Sequence, residues 1–129
     1  MVLGADTEVV LDGRLMGKPR DAADARRILS ALRGRAHDVV TGVAVVGVGT
    51  AETEAVAAVT TRVTMRAYSD DEILAYVETE EPLDKAGAYA VQGIGSRLIA
   101  SVDGCLTNVI GLPLTTTRRL LARWGFPRA

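Results

Sequence analysis

Lysine is rare in this chain of 129 residues, because thirteen of its fifteen basic residues are arginine. The two exceptions are Lys18, in the segment Met16-Gly17-Lys18-Pro19, and Lys85, in a loop near residue 90. Arginine presents a planar fork, whereas lysine presents a compact point charge that suits a single phosphate oxygen or a nearby carboxylate. The pattern favours two phosphate-directed lysines, and two ordinary surface lysines are the alternative.

Asp6 is the candidate catalytic carboxylate. An apolar run over residues 2–5 predicts a short buried strand that ends at Asp6, and Thr7 follows. Proteins with α/β folds place ligand-binding groups at strand ends. A carboxylate there can bind a divalent metal or deprotonate a water molecule. An Asx-turn or a cap is the alternative role.

A second polar cluster falls in one loop and contains Asp84, Lys85, Tyr89 and Gln92. The glutamine side chain offers one acceptor and two donors, so it can pair with an amide-like edge such as that of a pyrimidine base. The cluster therefore indicates base recognition, with a hydrogen-bonded structural loop as the alternative.

Several kinds of site are excluded by composition. His37 is the only histidine and Cys105 the only cysteine, so neither a zinc site of the usual kind nor an internal disulfide is expected. His37 is interpreted as a hydrogen-bonded structural residue. No Gly-x-Ser-x-Gly elbow or Walker sequence occurs. The net charge of −1 argues against a nucleic-acid polymer as partner. The absence of a signal peptide or long apolar run predicts a cytoplasmic protein with no membrane span.

The N-terminal half predicts a hairpin and a helix. Asp12-Gly13 separates apolar runs at 8–11 and 14–16, which is a strong hairpin signal. Asp21 is a plausible N-cap for a helix whose apolar residues recur at helical spacing up to Gly34.

The remainder predicts two long strands, two helices and a loop-rich segment. Residues 37–48 and 55–68 are β-branched runs joined by the polar stretch 49–54, so they are expected to pair in antiparallel fashion. A capping box at Ser69 to Glu72 begins a helix. Residues 79–96 are loop-rich and residues 97–103 form a strand. The last helix runs from Pro113 and carries Leu120, Leu121 and Trp124 toward the core, with Gly125 as its stop signal. The expected fold is a single α/β domain over residues 1–129, with helices flanking a mixed β-sheet.

Five sequence blocks occur in an order that resembles the Maf family of nucleotide pyrophosphatases. The resemblance covers essentially the whole chain. The blocks are Leu3-Gly4-Ala5-Asp6-Thr7, Gly17-Lys18-Pro19, residues 32–43, Glu81 to Gly93, and Asn108-Val109-Ile110-Gly111-Leu112-Pro113.

This resemblance implies a Maf/ITPase-like fold and hydrolysis of a nucleoside triphosphate to the monophosphate and pyrophosphate with a divalent cation, Mg²⁺ or Mn²⁺. Asp6 matches the position of the family's general base or metal ligand. Lys18 and Lys85 match its phosphate-site lysines. Thr7 and Gln92 match two positions that separate subgroups, and the residues present here are those of the dTTP/UTP type rather than the 7-methyl-GTP type.

The chain also departs from the family pattern. Family members are longer, and their N-terminal segment carries a Ser-x-Ser-Pro-Arg-Arg phosphate loop that this sequence lacks. An N-terminally truncated domain is therefore expected, with a misplaced start or a fragment of a longer chain as the alternatives. Glu80 stands where the family usually has glycine. The alternatives to a dTTP/UTP pyrophosphatase are a non-catalytic nucleotide-binding or regulatory homologue, acting as a homodimer, and a 7-methyl-GTP pyrophosphatase.

Overall fold

A computed structural model describes residues 1–47 and 54–124 of the chain. Within these ranges five strands form one sheet in the order β2-β1-β3-β4-β5. Every pairing in this sheet is antiparallel, where a mixed sheet was expected. The strands are β1 (Val2–Leu11), β2 (Arg14–Leu15), β3 (Ala36–Val46), β4 (Glu54–Met65) and β5 (Ile99–Asp103).

Helices cover one face of this sheet, which confirms the predicted α/β class. They are α1 (Ala22–Leu32), α2 (Asp70–Glu78), α3 (Leu106–Ile110) and α4 (Leu114–Leu121). The segment after α2 is built from 3₁₀ turns at Glu81–Asp84, Ala86–Ala88 and Gly93–Leu98, as its loop-rich composition predicted.

Local signals explain where these elements begin and turn. The Asp21 carboxylate accepts a 2.8 Å hydrogen bond from the amide of Asp24, and Ser69 with Glu72 forms a complete capping box at α2. The β1–β2 turn has positive φ at Asp12 (52°) and Gly13 (78°), the geometry of a tight hairpin. The predicted caps and hairpin are all confirmed.

The core lies on the helix-covered face of β3 and β4, whose antiparallel pairing is confirmed from Ala36↔Thr64 to Val46↔Glu54. Two apolar clusters share this face. The larger surrounds α1 and α2 and includes Val9, Val39 and Val63, and the smaller contains Val43, Val45, Ala55 and Leu120. Between them three fully buried polar side chains occupy the same face: Thr41, Thr61 and Asn108. This polar belt divides the core and lies beside the cleft described below.

The predicted strand at residues 2–5 was too short and wrongly placed in the core. β1 runs through Asp6 to Leu11, because its backbone pairs with β3 from Val2↔Val46 to Val10↔Asp38. Its first residues are exposed, with Val2 at 59%.

Smaller differences concern the C-terminal half. The last strand begins at Ile99 rather than residue 97, and helix α3 was not predicted. Leu120 and Leu121 contact the smaller apolar cluster, as predicted. The side chain of Trp124, the stop signal at Gly125 and the connection at 48–53 lie outside what the structure describes.

Candidate active site

One cleft of about 300 Å³ contains all five residues singled out in the sequence. Its volume lies at the lower end of the range for small-molecule pockets. The five residues that it brings together are Asp6, Thr7, Lys18, Lys85 and Gln92.

The floor of the cleft is the face of β1 and β3 that carries Ala5, Thr7, Val9 and Val39. Two walls rise from it. The Gln92 wall is the loop segment of residues 84–92, and the Asn108 wall is the segment of residues 108–111. Each wall approaches the floor from a different part of the chain, so neither can be located by sequence proximity.

Asp6 lies in the middle of β1, opposite Gly42, and is exposed. The expectation that it ends a strand was therefore wrong. Alternation along a strand places its side chain on the face opposite that of Thr7. Asp6 thus lines the cleft, but its side chain leaves β1 on the face opposite the floor.

The two lysines converge on one carboxylate at the cleft. The Lys85 ammonium donates a 2.8 Å hydrogen bond to Asp84 Oδ1. This bond and the charge of Lys85 hold the pKa of the Asp84 carboxyl below its usual range, and the charge of Lys18 adds to the effect. Within the cluster of Lys18, Lys85 and Asp84, two cations face one anion and leave a net positive charge, which suits a phosphate chain.

Backbone contacts fix the distance between the segments that carry the lysines. The Gly87 amide donates to the carbonyl oxygen of Met16 at 2.8 Å, just before Lys18. Gly87 has φ of 75°, and a β-carbon there would lie 2.8 Å from Val9 Cγ2. Only glycine allows this close approach of the Gln92 wall to the hairpin.

Gln92 is exposed at the cleft and is the last residue of the Gln92 wall. The segment that follows it donates to Glu81, which also accepts a hydrogen bond from the Tyr76 hydroxyl. Burial is the largest single influence on Glu81 and raises the pKa of its carboxyl. Hydrogen bonds from Tyr76, Gly95 and Ile94, with the charge of Lys85, outweigh burial and lower that pKa overall.

His37 supports the floor from β3, as its structural interpretation predicted. It is buried, and its Nε2 lies 2.6 Å from the hydroxyl of Tyr89, which lines the cleft. Burial lowers the pKa of His37 to about 4, and the neighbouring Asp38 opposes this only partly. The imidazole is therefore neutral at pH 7.

Asn108 anchors the second wall and was assigned no role by sequence reasoning. Its side-chain amide faces three acceptors, the carbonyl oxygens of Val39 (3.0 Å) and Val59 (2.9 Å) and Thr61 Oγ1 (3.0 Å). It thereby bridges β3 and β4 at the polar belt. It is the only asparagine in the chain, so the scarcity argument that singled out the lysines also applies to it.

Thr7 joins the floor to the same wall. Its hydroxyl lies 2.9 Å from Thr41 Oγ1, and Thr41 donates to the Asn108 carbonyl oxygen at 3.1 Å. The Thr7 hydroxyl also lies 3.5 Å from the carbonyl oxygen of Gly111, so it has acceptors both on the floor and on the wall. Thr7 therefore has a structural bond in addition to its place at the cleft.

Comparison with known proteins gives the family. Residues 1–124 match the family described as Maf-like protein. The chain belongs to the Maf family. The Maf match covers both walls, the floor and all five residues at the cleft.

Similar Maf relatives carry the name dTTP/UTP pyrophosphatase. The protein from Anaeromyxobacter sp. (strain Fw109-5) is 54% identical over 98% of this chain and 63% of its own length. Those from Myxococcus xanthus (53%) and Dictyoglomus turgidum (50%) also match 98% of this chain, and 62% and 65% of their own lengths. The chain thus spans a little under two thirds of these relatives.

Within residues 1–47 and 54–124, no helix has the length and apolar character needed to cross a membrane. The same ranges contain no group of three or more His, Cys, Asp or Glu side chains that could hold a metal ion.

Proposed function

We propose that this chain binds dTTP and UTP in the cleft and hydrolyses them to the monophosphate and pyrophosphate. The observation that carries the proposal is that one cleft is lined by two lysines, Lys18 and Lys85, and by a single amide side chain, Gln92. Relatives named dTTP/UTP pyrophosphatase support it.

Each part of the nucleotide has a matching group. The Lys18 and Lys85 ammonium groups neutralise phosphate oxygens, and Lys85 exchanges Asp84 for the incoming phosphate. The Gln92 amide pairs with the carbonyl and N–H edge of uracil or thymine.

The proposed reaction is attack of water on the α-phosphorus. The new P–O bond gives the monophosphate, and the broken anhydride bond releases pyrophosphate. Asp6 is the proposed acceptor of the water proton. Because Asp6 lies beside the floor, the attacking water would approach from the edge of β1.

A divalent cation, Mg²⁺ or Mn²⁺, is part of this proposal. Mg²⁺ is usually held by one or two carboxylates together with substrate phosphates rather than by an all-protein cage. The cleft has two carboxylates, Asp6 and Asp84, and this donor set fits such a cation. Asp6 would hold it, and the bound cation would neutralise charge on the phosphates.

A second candidate function is nucleotide binding without turnover. The position of Asp6 on the face opposite Thr7 favours it, because a general base must come within hydrogen-bond reach of the proton it removes. For either function we also propose a cytoplasmic protein with one Maf-like domain over residues 1–129 that assembles as a homodimer. Sedimentation analysis would test the assembly.

A pyrophosphate-release assay separates these functions. We expect release from dTTP and UTP in the presence of Mg²⁺ or Mn²⁺, with little release from 7-methyl-GTP. Asp6→Asn should lower turnover by roughly 10² or more, the scale of a lost general base. Measurable dTTP binding with no pyrophosphate would favour the second candidate, and preference for 7-methyl-GTP would reject the pyrimidine assignment.

A further inference from the structure

The segment that follows Gln92 is attached to one carboxylate. Glu81 Oε1 accepts a 2.9 Å hydrogen bond from the Gly95 amide, and Glu81 Oε2 accepts a longer one, 3.4 Å, from the Ile94 amide. Glu81 itself follows α2 and begins a 3₁₀ turn. A single acidic side chain therefore holds two successive backbone donors of the neighbouring loop.

Tyr76 attaches the chain on the other side of Gln92. Its hydroxyl donates to Glu81 Oε1 at 2.8 Å and accepts from the Ala90 amide at 3.0 Å. Tyr76 is buried on α2, so it is a fixed point. The residues on both sides of Gln92, Ala90 and Gly95, are thus attached to one Tyr76–Glu81 pair.

Close packing leaves this segment little freedom. A β-carbon on Gly95 would overlap the carbonyl oxygen of Ala90 and lie 2.5 Å from the Tyr76 hydroxyl. Gly93 has φ of 75°, and a β-carbon there would lie 3.1 Å from Glu81 Oε2. The loop fits the Tyr76–Glu81 pair only with glycine at both positions.

The exposed side of the segment has no comparable support. Ala90, Val91 and Gln92 line the cleft. Within residues 1–47 and 54–124, the Gln92 side chain makes no hydrogen bond. The position of its amide is therefore set by the backbone on either side of it.

We propose that Glu81 is a positioning residue that fixes residues 90–95 and so holds the Gln92 amide where it selects a pyrimidine base. This inference rests on the proposed function of the cleft. The carboxylate is required because all of its partners are donors. A glutamine at position 81 would turn one N–H₂ group toward a backbone N–H or the tyrosine hydroxyl, and that contact would be lost.

Backbone amide exchange tests the attachment without reference to activity. In Glu81→Gln we expect exchange to accelerate by about tenfold or more at Ile94 or Gly95, whichever amide faces the new N–H₂ group, while the protected amides of β3 keep their rates. Tyr76→Phe is the second variant, and it should accelerate exchange at Ala90 while leaving the Glu81–Gly95 bond in place. Glu78→Gln, an exposed change on α2, is the matched control and should alter none of these rates.

Nucleotide titration tests the consequence for the base. The Gln92 side-chain resonance is followed while dTTP or 7-methyl-GTP is added to the unchanged chain and to each variant. We expect Glu81→Gln to weaken dTTP binding by about tenfold while 7-methyl-GTP binding changes little, so that selectivity is lost. Glu78→Gln should retain the selectivity of the unchanged chain.

The outcomes distinguish the two proposals. If the unchanged chain shows no response to any nucleotide, the proposed function is rejected and the base-selecting role falls with it. If the unchanged chain binds dTTP, the role of Glu81 is overturned in either of two cases. One is unchanged exchange at Ile94 and Gly95 in Glu81→Gln, and the other is faster exchange with unchanged selectivity.

Discussion

The two walls of the cleft are attached to the rest of the molecule by different chemistry. The Asn108 wall is held by a fully buried neutral amide that bonds to strand carbonyls in the middle of the sheet. The Gln92 wall is held by Glu81, a charged and only partly buried side chain. Glu81 accepts hydrogen bonds from the amides of Ile94 and Gly95, which directly follow the wall.

This difference in attachment gives the two walls different roles: the Asn108 wall stabilises the fold, and the Gln92 wall serves recognition. Removing the Asn108 amide takes a second donor from two strand carbonyl groups and leaves Thr61 Oγ1 without it as well, so this wall is part of the core. The Glu81 carboxylate is reached by water, so its loop amides can be solvated if the bond is lost. The Gln92 wall is therefore the part that can change position without unfolding the domain.

The largest expected effect concerns the Asn108 wall. Asn108→Ala removes a fully buried side chain and its hydrogen bonds to the carbonyl groups of Val39 and Val59 and to Thr61 Oγ1, and should lower the free energy of unfolding by about 2–4 kcal/mol. Urea denaturation measures it. Thr115→Ala, an exposed change on α4, is the control and should change stability by less than about 0.5 kcal/mol. Equal stability of both variants would mean that this wall is not part of the core.

A pH dependence of similar size is expected from His37 beneath the Gln92 wall. Burial lowers its folded-state pKa from 6.5 to about 4, so the unfolded chain binds more protons between these values. The contribution of His37 is fully present above pH 6.5 and is lost as the pH falls toward 4, by about 3 kcal/mol in total. The free energy of unfolding should therefore fall more steeply with decreasing pH in the unchanged chain than in His37→Phe. Parallel slopes would contradict the buried neutral imidazole.

The lysines test whether the Gln92 wall, through Lys85, and the neighbouring Lys18 recognise phosphate. Lys18→Arg and Lys85→Arg keep the charge but replace the point charge by a planar fork. Each should lower kcat/KM for dTTP by about tenfold or more, the scale of one charged hydrogen bond. Arg62→Lys, on the exposed face of β4, is the control. Full activity in both lysine variants would mean that Lys18 and Lys85 are ordinary surface residues.

The smallest expected effect is a stabilisation. Glu80 has φ of 64°, a left-handed conformation at the end of α2 that glycine adopts without strain. Glu80→Gly should raise the free energy of unfolding by about 0.5–1 kcal/mol, measured by thermal denaturation. Glu78→Gly, within the helix, should instead lower it by up to about 1 kcal/mol. Destabilisation by both changes would show that Glu80 has a role of its own.

The fold was predictable where one residue type decides local structure. Asp21 and Ser69 mark helix starts, Asp12-Gly13 marks a turn, and alternation along β4 marks its buried face. The position of Asp6 was not predictable in this way. β1 extends to Leu11 because it pairs with β3, and no local pattern around Asp6 reports that pairing.

The residues that line the site were predictable from the sequence, but the residues that hold its walls in place were not. Lysine scarcity and the Maf resemblance pointed to residues that the structure brings to one cleft. Asn108 and Glu81 were missed because most of their partners are backbone groups. These carbonyl groups are 49 and 69 residues away for Asn108, and the loop amides bound by Glu81 are 13 or 14 residues away. Backbone carbonyl and amide groups occur at nearly every residue, so such contacts leave no pattern in the sequence.

The central claim is that the Gln92 wall selects a pyrimidine base, and the ratio of dTTP to 7-methyl-GTP affinity in Gln92→Glu tests it most directly. An ionised glutamate accepts hydrogen bonds only, so it opposes the carbonyl of thymine and favours the donor edge of a guanine-type base. A mispaired polar edge costs about 1–3 kcal/mol, so we predict a fall in the ratio of at least about tenfold, in the single variant or when Thr7→Gln accompanies it. If both variants keep the original ratio, Gln92 is a structural loop residue and the claim is wrong.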